Sequence, residues 1–99
     1  MLNPDPASRA IMERSALIFA ALGDGTRLRL VALLCEGQPL SISQLTQATD
    51  ISRQAVTKHL QVLALAGLVR DAKQGRERRW ALEPTQLILA LHALERFCR

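Results

Sequence analysis

Ile51-Ser52-Arg53-Gln54-Ala55-Val56-Thr57-Lys58-His59-Leu60-Gln61-Val62-Leu63 is the stretch from which the rest of the chain can be read. Val56, Leu60 and Leu63 recur at spacings of four and three, so on a helix they line one face, with Ile51 beside them. The opposite face then carries Arg53, Gln54, Thr57, Lys58 and Gln61. These side chains can donate to or accept from base edges, and Ser52 with the helix N-terminus is placed to take a phosphate. A helix that needed only solubility would mix Glu with its Lys; here no acidic residue stands between Asp50 and Asp71. The pattern predicts a helix over 53–66, capped by Ser52 and stopped at Gly67.

Just upstream, Ser43 is expected to cap a brief helix over 44–49, with Asp50-Ile51 as the turn between the two. That is helix, short turn, helix. Further back, Ser8 is a candidate cap for a helix reaching Leu22, and Gly23-Asp24-Gly25 breaks it. Thr26 is the expected cap of a helix through Glu36, with Gly37 as a left-handed stop, and 38–42 forms a connector or short strand. Downstream, Leu68-Val69-Arg70 and Arg78-Arg79-Trp80-Ala81-Leu82 flank a Gly75-Arg76 turn and read as a β-hairpin. Pro84 then opens a final helix running to Arg99. Residues 1–7, with Pro4 and Pro6, read as a flexible lead, and 8–99 as a single domain.

Charge is segregated along this plan. Residues 53–79 hold seven of the thirteen basic residues and only two of the nine acidic ones. A polyanion-binding surface needs that imbalance, because each phosphate met by Lys or Arg releases condensed counterions. Lys73, Arg76, Arg78 and Arg79 cluster on the hairpin, whose narrow tip can reach the minor groove or the flanking backbone. Trp80, the sole Trp, is expected to anchor the hairpin on the core, and His59 to act structurally.

The chain has 99 residues, 48% hydrophobic but only 3% aromatic, which favours an α-rich fold built from Leu, Ala, Ile and Val. No apolar run approaches the ~18 residues that cross a bilayer, and residues 1–9 lack a secretory pattern, so a cytoplasmic protein without a membrane partner is expected. An enzyme finds no support: there is no Ser/His/Asp order, no Gly-rich phosphate loop and no carboxylate pair in a plausible cleft. No cofactor is expected.

Ala21-Leu22-Gly23-Asp24-Gly25-Thr26-Arg27-Leu28-Arg29-Leu30, Leu40-Ser41-Ile42-Ser43-Gln44-Leu45, Ile51 to Leu60 and Leu65-Ala66-Gly67-Leu68-Val69 together resemble the ArsR (ArsR/SmtB) family of winged-helix repressors. The resemblance runs from about residue 18 to 84. It implies a mainly α, α+β winged helix in the order helix, helix, strand, helix, helix, strand, strand, helix. It also implies a dimeric bacterial or archaeal transcription factor, with 53–66 as recognition helix and the hairpin, 70–82, as wing. Gly25 departs from the Pro that family members usually carry before the Thr-Arg pair, a change expected to loosen the start of the second helix without threatening the fold.

Leu87, Ile88, Leu89, Leu91, Leu94 and Phe97 spread over more than one face of the last helix, and Ile11, Met12, Leu17, Ile18 and Phe19 enrich the first. A chain this small cannot bury them all, so Ile11, Ile18, Leu87, Leu91 and Leu94 are expected at a two-fold interface, where the resemblance also puts it. Two recognition helices would then read a pseudo-palindrome with half-sites ~34 Å apart.

The metal sites that the resemblance brings do not carry over. Where one site needs Cys-x-Cys, this chain has Ser41-Ile42-Ser43, whose hydroxyls hold a soft metal poorly. For the other, His92 and Glu95 supply one half, but Arg79 and Ala81 stand where Asp and His are needed. No metal ligand set is expected, and the effector is unnamed. Some relatives sense thiol chemistry through paired cysteines, so a thiol- or persulfide-responsive repressor using Cys35 and Cys98 is an alternative. A third reading, a winged-helix protein-interaction module without DNA binding, gains nothing from four hairpin cations.

Overall fold

The computed structural model describes residues 5–98. The chain runs α1 (Pro6–Leu22), α2 (Gly25–Leu34), β1 (Leu40–Ser41), α3 (Ile42–Thr49), α4 (Arg53–Leu65), β2 (Val69–Gln74), β3 (Glu77–Leu82) and α5 (Pro84–Phe97). The three strands form one antiparallel sheet in the order β1-β3-β2, with Leu40 opposite Trp80 and Val69 opposite Leu82. This is the winged helix-turn-helix: mainly helical, with a hairpin beside the second helix of the pair.

One apolar cluster draws on every helix and both long strands, including Ile18, Leu30, Leu45, Val56, Leu68, Trp80 and Ala90. Leu30, Leu34, Leu45, Val56, Leu60, Leu63 and Leu68 are fully buried. The stripe Val56, Leu60 and Leu63 therefore seats α4 on the core, which fixes the direction its other face looks.

Three helix starts differ from the sequence-based expectation. α1 is capped by Asp5, whose Oδ1 accepts the Ser8 backbone N–H at 2.7 Å, and Pro6 occupies the first turn, where its missing N–H costs nothing. Residues 5–7 thus belong to the helix and its cap rather than to a lead; residues 1–4 lie outside the described residues. α2 is capped by Asp24, not Thr26: Asp24 Oδ2 accepts from the Thr26 and Arg27 backbone N–H groups at 3.0 and 3.1 Å. Gly25 is tolerated as its first residue, in open space. α3 is capped by Ser41 rather than Ser43, two residues earlier than expected.

α2 stops at Leu34 rather than the expected Glu36, and α4 at Leu65 rather than Ala66, each followed within three residues by a glycine. Gly37 and Gly67 take φ of +100° and +79°, where a side chain would be strained. α5 ends at Phe97 with Cys98 as its cap, and the expected continuation to Arg99 lies outside the described residues.

Candidate nucleic-acid interface

Ser52 caps α4 by accepting the Ala55 backbone N–H at 3.1 Å, which leaves its own hydroxyl proton free to donate to an anion at the helix N-terminus. Ser52, Arg53, Gln54, Lys58 and Gln61 are all exposed, and Thr57 is half-buried. Gln54, Thr57, Lys58 and Gln61 fall at i, i+3, i+4 and i+7, one continuous stripe opposite the buried one.

Two side chains of that face are already engaged. Arg53 Nη1 donates to Ser43 Oγ at 2.8 Å, linking α4 to α3 across the turn. Thr57 Oγ1 donates to the Arg53 carbonyl one turn back at 2.9 Å, so its proton is spent within the helix. Toward a base, Thr57 offers its methyl group and an acceptor lone pair rather than a donor. Ser43 is thus part of this face, which the sequence reading assigned to a cap.

The wing closes through Gly75-Arg76, with Gly75 at φ +61° as a two-residue turn with Gly first requires. Lys73 and Arg76 are exposed and make no ion pair among the described residues. Arg78 is also exposed, but its Nε lies 2.8 Å from Asp71 Oδ2 and its guanidinium stacks 5.2 Å from the centre of the Trp80 ring.

Arg79 corrects the expectation of four equivalent wing cations. Its side chain is only 25% exposed, paired to Glu77 at 2.9 Å and donating to the Pro39 carbonyl at 3.3 Å. It ties β3 to the segment entering β1. Asp71 and Glu77 were missed as partners, although a two-residue turn fixes a register that puts Asp71 opposite Trp80 and two positions, one diagonal on the same face, from Arg78. Trp80 is 6% exposed and part of the core, the anchor expected of it.

His59 is half-buried on α4. Asp24 is held below the ordinary aspartate range, chiefly by the Arg27 backbone N–H, with the charges of Arg27 and His59 acting in the same direction against desolvation. No group of three His, Cys, Asp or Glu side chains suited to a metal occurs among the described residues. Cys35 and Cys98 are exposed free thiols at the C-caps of α2 and α5.

At the other end of the chain, α1 packs along α5. Leu91 and Leu94 are about half exposed, as are Ile88, Leu89 and Phe97, and Leu17 is more so. Ile18 corrects the expected interface: at 3% exposure it belongs to this chain's own core. Leu87 packs against that core as well, and Ile11 is half-buried in the wall of a groove of about 400 Å³ between the two helices. No helix among the described residues is long and apolar enough to cross a membrane.

Comparison with known proteins agrees with this geometry. A family model described as a helix-turn-helix domain matches residues 22–72. The HTH-type transcriptional regulator Rv2034 of Mycobacterium tuberculosis is 43% identical over 79 residues, 80% of this chain and 73% of that protein. The arsenical resistance operon repressor of Escherichia coli is 39% identical over 67 residues, 68% of this chain but only 57% of the repressor. An ArsR-like transcriptional regulator from Rhodococcus sp. RHA1 superposes with a TM-score of 0.79 at 37% identity, covering 87% of this chain and 80% of that one. The recognition-helix arrangement, the wing and these matches lead to one assignment: the chain belongs to the ArsR/SmtB family of winged helix-turn-helix transcriptional regulators.

Proposed function

We propose that the chain acts as a homodimeric repressor, reading a pseudo-palindromic operator with α4 in successive major grooves and gripping the flanking backbone with the wing. The observation that carries this reading is the stripe Gln54, Thr57, Lys58 and Gln61 on the face of α4 opposite a fully buried one, together with exposed Lys73 and Arg76 on the hairpin. Base-edge contacts from such a stripe supply sequence preference, and the wing cations supply sequence-independent affinity. The exposed apolar residues of α5 favour pairing with a second copy, because so many large apolar side chains left in water on one helix are costly. Repression is the activity that the name of the E. coli relative, an operon repressor, supports. On this reading the protein works in the cytoplasm, carries out no catalysis and needs no cofactor.

The test is a titration of the protein against duplex DNA from upstream of its own gene and against random duplex, at several salt concentrations. Tight, salt-dependent and sequence-selective binding is expected. Equal binding to both duplexes would reduce the protein to a non-specific DNA binder, and binding to neither would replace this reading with that of a protein-interaction module.

A further inference from the structure

Both carboxylates of the hairpin face arginines of the same hairpin, but the two pairs are not alike. Glu77 meets Arg79 where Arg79 is also held by the Pro39 carbonyl and is largely covered, a structural arrangement. Asp71 meets Arg78 in the open, with side chains 45% and 64% exposed, and the guanidinium lies against the ring of a Trp80 that the core immobilises. A surface ion pair of this kind adds little to stability. Its consequence is electrostatic, because an exposed wing cation, set against Trp80 and across from Lys73, is neutralised in the free protein.

We infer that Asp71 is an internal competitor for phosphate: it occupies Arg78 until the recognition helix is seated and so holds down the affinity that Arg78 would add. This rests on the DNA-binding reading above. On random duplex the wing meets phosphates only loosely, and Asp71 keeps Arg78. On the operator, α4 fixes the register and brings a phosphate into direct contact, a charge-assisted bond strong enough to displace the carboxylate. The exchange leaves Asp71 needing a cation from solution, so forming the Arg78 contact yields about one counterion release fewer than a free arginine would.

The experiment compares wild type, Asp71→Asn, Arg78→Ala and the double variant on operator and random duplex across a salt series. Glu36→Gln, which removes the same charge outside the hairpin, is the control, and Trp80 emission and far-UV circular dichroism check the fold. Asp71→Asn is expected to tighten random-duplex binding by about twofold to fivefold and to steepen the log–log salt slope by about 0.9. Operator binding should tighten at least as much, because wild type must break the pair there, so the preference does not narrow, and both gains should vanish in the Arg78→Ala background. A gain no larger than that of Glu36→Gln, or one that survives Arg78→Ala, overturns the inference. So does weaker binding by a folded Asp71→Asn, which would make Asp71 a support that aims Arg78. Wild type binding no duplex would overturn the DNA-binding reading with it.

Discussion

Ser41 and Gln44 close a reciprocal box at the start of α3: the Gln44 backbone N–H donates to Ser41 Oγ at 3.1 Å, and the Ser41 backbone N–H donates to Gln44 Oε1 at 2.9 Å. Ser41 is also the last residue of β1, in register with Arg79 of the wing strand, so one residue joins the sheet to the helix-turn-helix. Ser41→Ala should therefore lower the unfolding free energy by about 1 kcal/mol. Ser43→Ala, which loses only an exposed bond from Arg53, should stay within about 0.5 kcal/mol. Urea denaturation of the two variants separates them.

Leucines along α4 are predicted to differ sharply in cost. Leu60 is fully buried and Leu65 is 91% exposed. Leu60→Ala is expected to lose about 2–5 kcal/mol through lost burial and the cavity left behind. Leu65→Ala should change stability by no more than about 0.5 kcal/mol. Equal losses in chemical denaturation would mean that α4 is rotated from the face described.

The cap of α2 carries a pH dependence whose sign is fixed. The carboxyl of Asp24 is depressed in the folded chain, chiefly by the Arg27 backbone N–H. Its contribution is thus present above the ordinary aspartate pKa of about 3.9 and is lost as pH falls through the lower folded value. Melting temperature should drop below about pH 4 in wild type. Asp24→Asn keeps an acceptor at the cap but does not titrate, so it should drop less. Parallel acid profiles for the two proteins would count against this role.

Base reading and backbone gripping should respond differently to truncation. Gln54→Ala should cost about 1–3 kcal/mol on the operator and shift base preference at one position. Arg76→Ala should weaken operator and random duplex alike and flatten the salt slope by about one. If both variants lose equally on both duplexes, the division of labour between α4 and the wing is wrong.

Self-association is assigned to the exposed face of α5. Leu91→Asp or Leu94→Asp should move sedimentation equilibrium toward the monomer while leaving helical circular dichroism in place, since both residues are about half exposed in the single chain. A wild-type profile from either variant would put the interface elsewhere.

Much of this fold is legible from local pattern because local stereochemistry sets it. The spacing of Val56, Leu60 and Leu63 allows one helical face and one only, and Ser52, Gly67 and Gly75 sit where a cap, a stop and a tight turn need them. The stripe from Gln54 to Gln61 follows from the buried one by geometry alone. What stayed hidden involves choices between near-equal local candidates, or between partners distant in the chain. Asp5 over Ser8, Asp24 over Thr26 and Ser41 over Ser43 are contests between good caps a few residues apart, and at Ser41 the ladder between β1 and β3 pins the winning residue. Arg79 looked like a wing cation until the sheet carried it to the Pro39 carbonyl, 40 residues away in sequence. Ile18 looked like an interface residue because periodicity predicts that a side chain is covered, whereas only the packing of the whole chain settles what covers it.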